Sequence, residues 1–210
     1  MKTAVLFDLD GTLLDTLADL HDAVNHTLDQ FGYPRRSLEE VRQFVGNGAA
    51  RLLALAVPEG ADPAPVLATF QAYYRAHCQI KTGPYPGIMD TLAVLGEKYP
   101  LAIVSNKPDA AVKTLCAELF PGIFARGEDV DCPRKPDPAM VRKAMTSIGA
   151  TDCVYVGDSE VDVATARNAG VPCVSVTWGF RDEKELKAAG GSIFCRTAEE
   201  LIETIEKIIG

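Results

Sequence analysis

Residues Phe7 to Thr16 read FDLDGTLLDT, directly after the apolar residues Ala4, Val5 and Leu6. Ala4–Phe7 has the length and content of a buried strand. Side chains alternate along a strand, so Asp8 and Asp10 would share a face if the strand continued. Two carboxylates aimed at one spot repel unless a cation or a shared proton sits between them. Gly11 and Thr12 follow at once, and glycine permits the tight turn that would bring Asp10 round. A strand that ends this way predicts a site beyond its carboxyl end.

Working outward, further strand-like runs occur at Leu101–Val104, Cys153–Val156, Cys173–Val176 and Ser192–Phe194. Helical patterns separate them. Ile88, Leu92, Leu95 and Tyr99 fall on one face, as do Leu201, Ile202, Ile205, Ile208 and Ile209, with Thr197 and Glu200 as a capping box. Strands alternating with helices predict an α/β fold: a Rossmann-like parallel sheet core with helices on both faces. From Thr16 to Ile80 only helical patterns occur. Leu17, Leu20, Val24, Leu28 and Phe31 trace one face, Ser37 with Glu40 forms a capping box, and Arg51–Val57 and Val66–Ile80 read as helices. That stretch is too long for a crossover, so it predicts an inserted helical domain over residues 16–81. The core would then be residues 1–15 and 82–210, with linkers at Leu14–Thr16 and Lys81–Gly87, the second rich in Pro and Gly.

The chain has 210 residues, 47% hydrophobic and 24% charged, an ordinary globular balance. Its net charge of −8 argues against wrapping nucleic acid or anionic lipid. An anionic substrate would therefore need a local positive site or a metal. The six cysteines, at 78, 116, 132, 153, 173 and 195, form no C-x-x-C pair and mostly sit in apolar contexts. They read as reduced thiols of a cytoplasmic protein. The N-terminal apolar run is too short for a secretion signal, and no run approaches the roughly 18 residues of a membrane span. A monomer or a homodimer is expected.

In a parallel α/β sheet the ligand crevice lies beyond the carboxyl ends of the strands. Strand one is followed there by Asp8, Asp10, Gly11 and Thr12; strand two by Ser105, Asn106 and Lys107. Asp158 follows the Cys153–Val156 strand and Gly157, with Asp162 one helical turn on. Arg134-Lys135-Pro136-Asp137-Pro138 occupies the loop before that strand. Taken singly, each has a bland explanation: a turn aspartate, a helix-capping serine, a solvated lysine. Their coincidence at one edge of one sheet does not. Clustered carboxylates suit Mg²⁺, with Asp8 and Asp158 as side-chain ligands that the ion would relieve of repulsion. A carboxylate can attack phosphorus, and a second acid two residues on can protonate the leaving oxygen and then deprotonate water. Ser105 and Lys135 would bind the phosphoryl oxygens, neutralising charge where phosphoryl-transfer catalysis mostly resides.

DLDGT, SN at the second strand end, KPDP and GDSEVD resemble the four motifs of the haloacid dehalogenase superfamily, in order and spacing over essentially the whole chain. The helical insert resembles the α-helical cap of one of its branches. Within that branch VGNGA (Val45–Ala49), SNKPD (Ser105–Asp109) and GDSEVD (Gly157–Asp162) look most like the phosphoglycolate phosphatases. The resemblance implies Asp8 as nucleophile and Asp10 as general acid/base. It implies Mg²⁺ on Asp8, the Asp10 carbonyl and Asp158, and phosphate on Ser105, Asn106 and Lys135. Gly11 and Thr12 would shape the first motif, and Asp162 would support the loop. Ser105 stands where these phosphatases often have Thr; both supply a hydroxyl. The implied reaction is hydrolysis of a small phosphate monoester, 2-phosphoglycolate to glycolate, through an aspartyl-phosphate.

Other readings stay open. Dehalogenases of the superfamily lack the second acid that Asp10 supplies. A Schiff-base phosphonate hydrolase needs a cap lysine, and none lies between Thr16 and Ile80. A β-phosphoglucomutase-like phosphomutase, or a sugar-phosphate or pyrophosphate phosphatase, shares the motifs. A non-enzymatic phospho-acceptor or adaptor would need neither the insert nor an intact Asp10. Substrate choice is expected from Gly46, Asn47, Gly48 and Arg51: the glycines free the backbone to approach an anion, and Arg51 offers a forked donor for a carboxylate. His21, His26 and His77 read as solvated or capping residues and not as metal ligands. The Lys135–Pro136 bond is expected to be cis.

Overall fold

The structure is a computed structural model that describes residues 2–210. The chain divides into two compact units. One holds the chain up to Leu14 together with Pro84–Gly210; the other is Asp15–Gly83.

In chain order the elements are β1 (Thr3–Phe7), β2 (Leu14–Asp15), α1 (Leu17–Gln30), α2 (Leu38–Phe44), α3 (Gly48–Ala56), α4 (Pro63–His77), β3 (Gly83–Pro84), α5 (Ile88–Lys98), β4 (Leu101–Pro108), α6 (Asp109–Leu119), β5 (Phe124–Glu128), α7 (Ala139–Ser147), β6 (Asp152–Gly157), α8 (Glu160–Ala169), β7 (Cys173–Val176), α9 (Glu183–Ala188), β8 (Ile193–Cys195) and α10 (Ala198–Ile209).

The first unit is built on a six-stranded sheet in the order β5-β4-β1-β6-β7-β8, every neighbouring pair parallel. Ala4, Val5, Leu6 and Phe7 are all fully buried, so β1 is covered on both faces, which is why its sequence is a continuous apolar run and not an alternating one. One face packs Ala4, Leu6, Ala102, Val104 and Tyr155 against Met140, Val141 and Ala144 of α7 and Ala166 of α8. Truncating Leu6 to Ala would cost about 2–5 kcal/mol from lost transfer and a residual cavity. β5 has no counterpart among the sequence expectations. Its sequence FARGE carries two charges and a glycine, because it is an edge strand that is only partly buried.

The second unit contains α1 to α4. Leu20, Val24 and Leu28 are buried on α1 as their spacing requires, but so are Asp19, Asn25 and Thr27. Each polar group has a partner. The Asp19 carboxylate accepts the N–H groups of Ile80, Lys81 and Thr82, and Asn25 exchanges two bonds with the Arg36 main chain. Ser37 and Glu40 form the expected capping box of α2. α3 starts at Gly48, ahead of the expected Arg51, and α4 starts at Pro63 because Asp62 caps it through the Ala64 N–H. His26 and His77 stack on either side of Tyr73, and His21 bonds Asn25, so the histidines are half-buried and packed as well as partly solvated. β2 and β3 pair with each other where the chain passes between the units. Among the described residues no helix is long and apolar enough to cross a membrane, and all six cysteines are free.

Candidate active site

Renumbered along the sheet alone, the strand order is 3-2-1-4-5-6, which reverses direction between β1 and β6. Such a reversal opens a crevice at the carboxyl ends of the two strands. Asp8 directly follows β1 and Asp158 directly follows β6. The strands are in register there, Phe7 opposite Val156, and Asp8 N–H donates to the Val156 carbonyl at 2.9 Å. The two acids therefore flank the crevice from adjacent strands.

Lys135 lies between Asp8 and Asp162, 2% exposed at its side chain. Its Nζ is 2.8 Å from Asp8 Oδ1, 2.8 Å from Asp162 Oδ1 and 3.2 Å from the Tyr155 hydroxyl. Asp162 Oδ2 accepts the N–H and hydroxyl of Ser159, closing a capping box at the start of α8. Asp158 is gripped at both oxygens, by the Thr12 hydroxyl at 3.0 Å and by Phe180 N–H at 2.8 Å. Three glycines make this packing possible. Gly11 sits at φ 85°, and a Cβ there would run into the Asp158 carboxylate. A Cβ on Gly179 would meet Asp158 and the Gly11 carbonyl, and one on Gly157 would meet Asp162.

β4 brings Ser105, Asn106 and Lys107 to the same edge. Ser105 Oγ accepts Lys107 N–H at 3.1 Å, which leaves its own hydrogen to donate. Asn106 was expected on phosphate. Its side chain instead holds the Lys135 main chain, donating to the Lys135 carbonyl at 3.0 Å and accepting its N–H at 2.7 Å. The Lys135–Pro136 bond is cis, as expected. Lys107 Nζ lies 2.6 Å from Asp10 Oδ1.

Burial first, then the charge of Asp162, pushes the Asp8 carboxyl well above its ordinary range, with Lys135 opposing. The same two causes push Asp158 up to about 7, against the Phe180 and Thr12 hydrogen bonds. Burial works against the charge on Lys135, but Asp162 and Asp8 outweigh it and hold its ammonium above the usual lysine value. Three buried acids thus face one lysine, and oxygen atoms of Asp8, Asp158 and Asp162 lie within 4.8 Å of one another. This donor set, all oxygen and net negative, fits a hard divalent cation. Both Asp162 oxygens are already bonded. Asp8 takes Leu9 N–H and Lys135 on Oδ1 alone, so its Oδ2 accepts no hydrogen bond among the described residues.

Asp8, Asp10, Gly11, Thr12, Ser105, Asn106, Lys135, Asp158 and Asp162 all belong to the sheet unit, whereas Gly46, Asn47, Gly48 and Arg51 belong to the helical one. There Gly46 and Gly48 have φ of 121° and 78°, Asn47 precedes α3 without a side-chain cap, and Arg51 is exposed. Sequence reasoning missed Tyr155, which reads as one more apolar strand residue, and the segment TWGFR at 177–181. In that segment Trp178 Nε1 donates to the Thr12 carbonyl at 3.0 Å, and buried Arg181 pairs with Glu160 at 2.8 Å. An aromatic-glycine-aromatic stretch just past a strand was the available signal.

The chain matches the family of haloacid dehalogenase-like hydrolases over residues 5–176. A phosphoglycolate phosphatase of Pseudomonas putida is 38% identical over 203 residues, covering 90% of this chain and 74% of that one. One of Cereibacter sphaeroides is 38% identical over 189 residues, covering 84% and 86%. A crystal structure from Lactobacillus delbrueckii subsp. bulgaricus, provisionally assigned as a phosphoglycolate phosphatase, superposes with a TM-score of 0.92 at 40% identity, covering 98% and 99%. With the parallel sheet and the acids at its switch point, these matches establish that the chain belongs to the haloacid dehalogenase-like hydrolase family.

Proposed function

We propose that this protein is a Mg²⁺-dependent phosphatase that hydrolyses a small phosphate monoester through an aspartyl-phosphate on Asp8, with 2-phosphoglycolate as its substrate. The observation that carries the reading is Asp8 itself: buried at the crevice, one oxygen held by Leu9 N–H and Lys135, the other without a hydrogen bond among the described residues. A carboxylate oriented in this way is a nucleophile whose rotamer is already fixed.

In the first step an Asp8 oxygen attacks phosphorus. The bond from phosphorus to the ester oxygen breaks, its electron pair leaves with the alcohol, and Asp10 delivers the proton. In the second step Asp10 takes a proton from water, whose oxygen attacks the same phosphorus; phosphate departs and the Asp8 carboxylate returns. Ser105 donates its hydroxyl and Lys135 its ammonium to the phosphoryl oxygens, while Asn106 fixes the Lys135 main chain. Thr12 and the Phe180 N–H hold Asp158, and Asp162 holds Lys135. Asp8, the Asp10 carbonyl and Asp158 would hold Mg²⁺, which would supply positive charge to the transferring group.

None of these residues reads the rest of the substrate. That role falls to Gly46, Asn47, Gly48 and Arg51, whose exposed guanidinium suits a carboxylate. The names of the relatives support 2-phosphoglycolate. A cytoplasmic location fits the six free thiols. A panel of phosphate monoesters, assayed with and without Mg²⁺, tests the proposal. Turnover should require the metal, and kcat/KM for 2-phosphoglycolate should exceed that for sugar phosphates by at least ~10-fold, the effect of about 1.4 kcal/mol. A preference for sugar phosphates, or isomerised product in place of inorganic phosphate, would contradict it.

A further inference from the structure

The machinery above assigns nothing to Lys107, yet its placement is unusual. Its side chain is 4% exposed, and its ammonium sits 2.6 Å from Asp10 Oδ1 in a pair shielded from water on the lysine side. A pair so buried is costly to assemble and costly to break on one side only. The main chain around it is also pinned. Lys107 N–H donates to Ser105 Oγ, and β5 presses so closely that a Cβ on Gly127 would collide with the Lys107 carbonyl and with Asp109. Gly127 N–H in turn donates to Asp109 Oδ1 at 2.9 Å. The lysine is therefore delivered from a fixed strand end.

Asp10 has the opposite character. It lies past the end of β1, in the turn that Gly11 makes at φ 85°. Its hydrogen bond from Lys107 engages Oδ1, and Oδ2 accepts none from a described residue. A proton-transfer group gains only when it is held within hydrogen-bond reach of the atom it serves. Lys107 is built to do that holding: an ammonium has no acceptor, so it can orient a carboxylate without competing for its proton.

We propose that Lys107 is the positioning residue for Asp10, fixing Oδ1 so that Oδ2 carries the proton to the leaving oxygen. This rests on the reading of Asp10 as the general acid. The two stand or fall separately in a comparison of leaving groups. An alkoxide needs a proton to depart, whereas 2,4-dinitrophenolate does not, and kcat/KM reports the steps through departure of the alcohol.

The experiment measures kcat/KM of wild type, Asp10→Asn, Lys107→Met and Lys107→Arg on the best alkyl phosphate of the panel and on 2,4-dinitrophenyl phosphate. Asp10→Asn and Lys107→Met should each lose at least ~10-fold more on the alkyl ester than on the aryl ester, within the usual range of general acid catalysis. Lys107→Arg should recover part of that difference. If Asp10→Asn shows the leaving-group dependence and Lys107→Met loses equally on both esters, Lys107 is a structural residue and the proposal is wrong. If Asp10→Asn shows none, the acid role of Asp10 fails and the proposal falls with it. Should Lys107→Met not fold, Lys107→Gln carries the same comparison.

Discussion

The carboxyl edge of the sheet and the Gly46–Arg51 segment of the helical unit both contain glycines and charged groups, yet they are built on opposite principles. At the sheet edge Asp158, Asp162 and Lys135 are over-determined. Asp158 has two donors and two glycines against it, Asp162 has Ser159, Lys135 and Tyr155, and Lys135 has its main chain tied by Asn106. Around Gly46–Arg51 the charged side chain is exposed and the glycines confer backbone freedom. The difference teaches where each task would belong under the proposed function: chemistry common to all phosphate monoesters calls for rigidity, and discrimination among them would fall to the segment with the exposed charge.

That contrast can be broken at several points. The largest effect is expected at the nucleophile. Asp8→Asn should lower kcat on the order of 10³-fold or more, as nucleophile deletions do. It also removes a carboxyl that burial and Asp162 disfavour in its charged form, so the melting temperature of the metal-free protein should not fall. Substantial turnover in the variant would end the covalent mechanism.

Next comes the cradle. Gly179→Ala pushes a methyl into Asp158 and the Gly11 carbonyl. A displacement near 1 Å would cost about 10²-fold in kcat. Gly60 of the helical unit is the control: φ is 82°, and nothing lies within 4 Å of the added carbon. Gly60→Ala should cost about 1–2 kcal/mol of stability through left-handed strain alone, with kcat retained. Equal kinetic losses in the two variants would erase the distinction between the regions.

A smaller effect concerns pH and metal. Asp158 moves from 3.8 to about 7 in the metal-free fold. Between those values the native state holds a proton that the unfolded chain lacks, so this group's contribution to stability falls as pH rises from about 4 to about 7. In the proposed site Mg²⁺ would compete with that proton. The rise in melting temperature on adding Mg²⁺ should therefore be larger at pH 8 than at pH 6, and the reverse order would remove Asp158 from the metal site. The smallest effect is expected at Arg51. Arg51→Ala should raise KM for 2-phosphoglycolate several-fold, a loss of about 1 kcal/mol for an exposed charge pair, and spare a neutral aryl phosphate. Equal changes on both would take Arg51 out of recognition.

Much of the sheet edge was legible because its chemistry is written in charges at strand ends, and charges are conspicuous after apolar runs. Asp8 and Asp158 needed only the rule that parallel strands deliver their carboxyl ends to one crevice; Lys135, in a loop, needed its coincidence with the other motifs. What escaped was whatever acts through packing or main chain. β5 is an edge strand with a charged, glycine-containing sequence. Gly179 matters for the atoms it leaves out. Tyr155 hides its hydroxyl inside an apolar strand. Asn106 was placed on phosphate by the family resemblance alone, while its two side-chain bonds to Lys135 depend on a loop 29 residues away. Asp19 carries no local signal on its helix, because the three N–H groups its carboxylate collects lie some sixty residues on.

The central claim is that phosphate passes through Asp8. Its most direct test is an acid quench of the enzyme during turnover of its best substrate, with borohydride reduction of any acyl phosphate and peptide mapping by mass spectrometry. The account predicts homoserine at position 8, dependent on substrate and Mg²⁺ and absent without them. Unmodified Asp8 under conditions of rapid turnover, or modification at another residue, would contradict it.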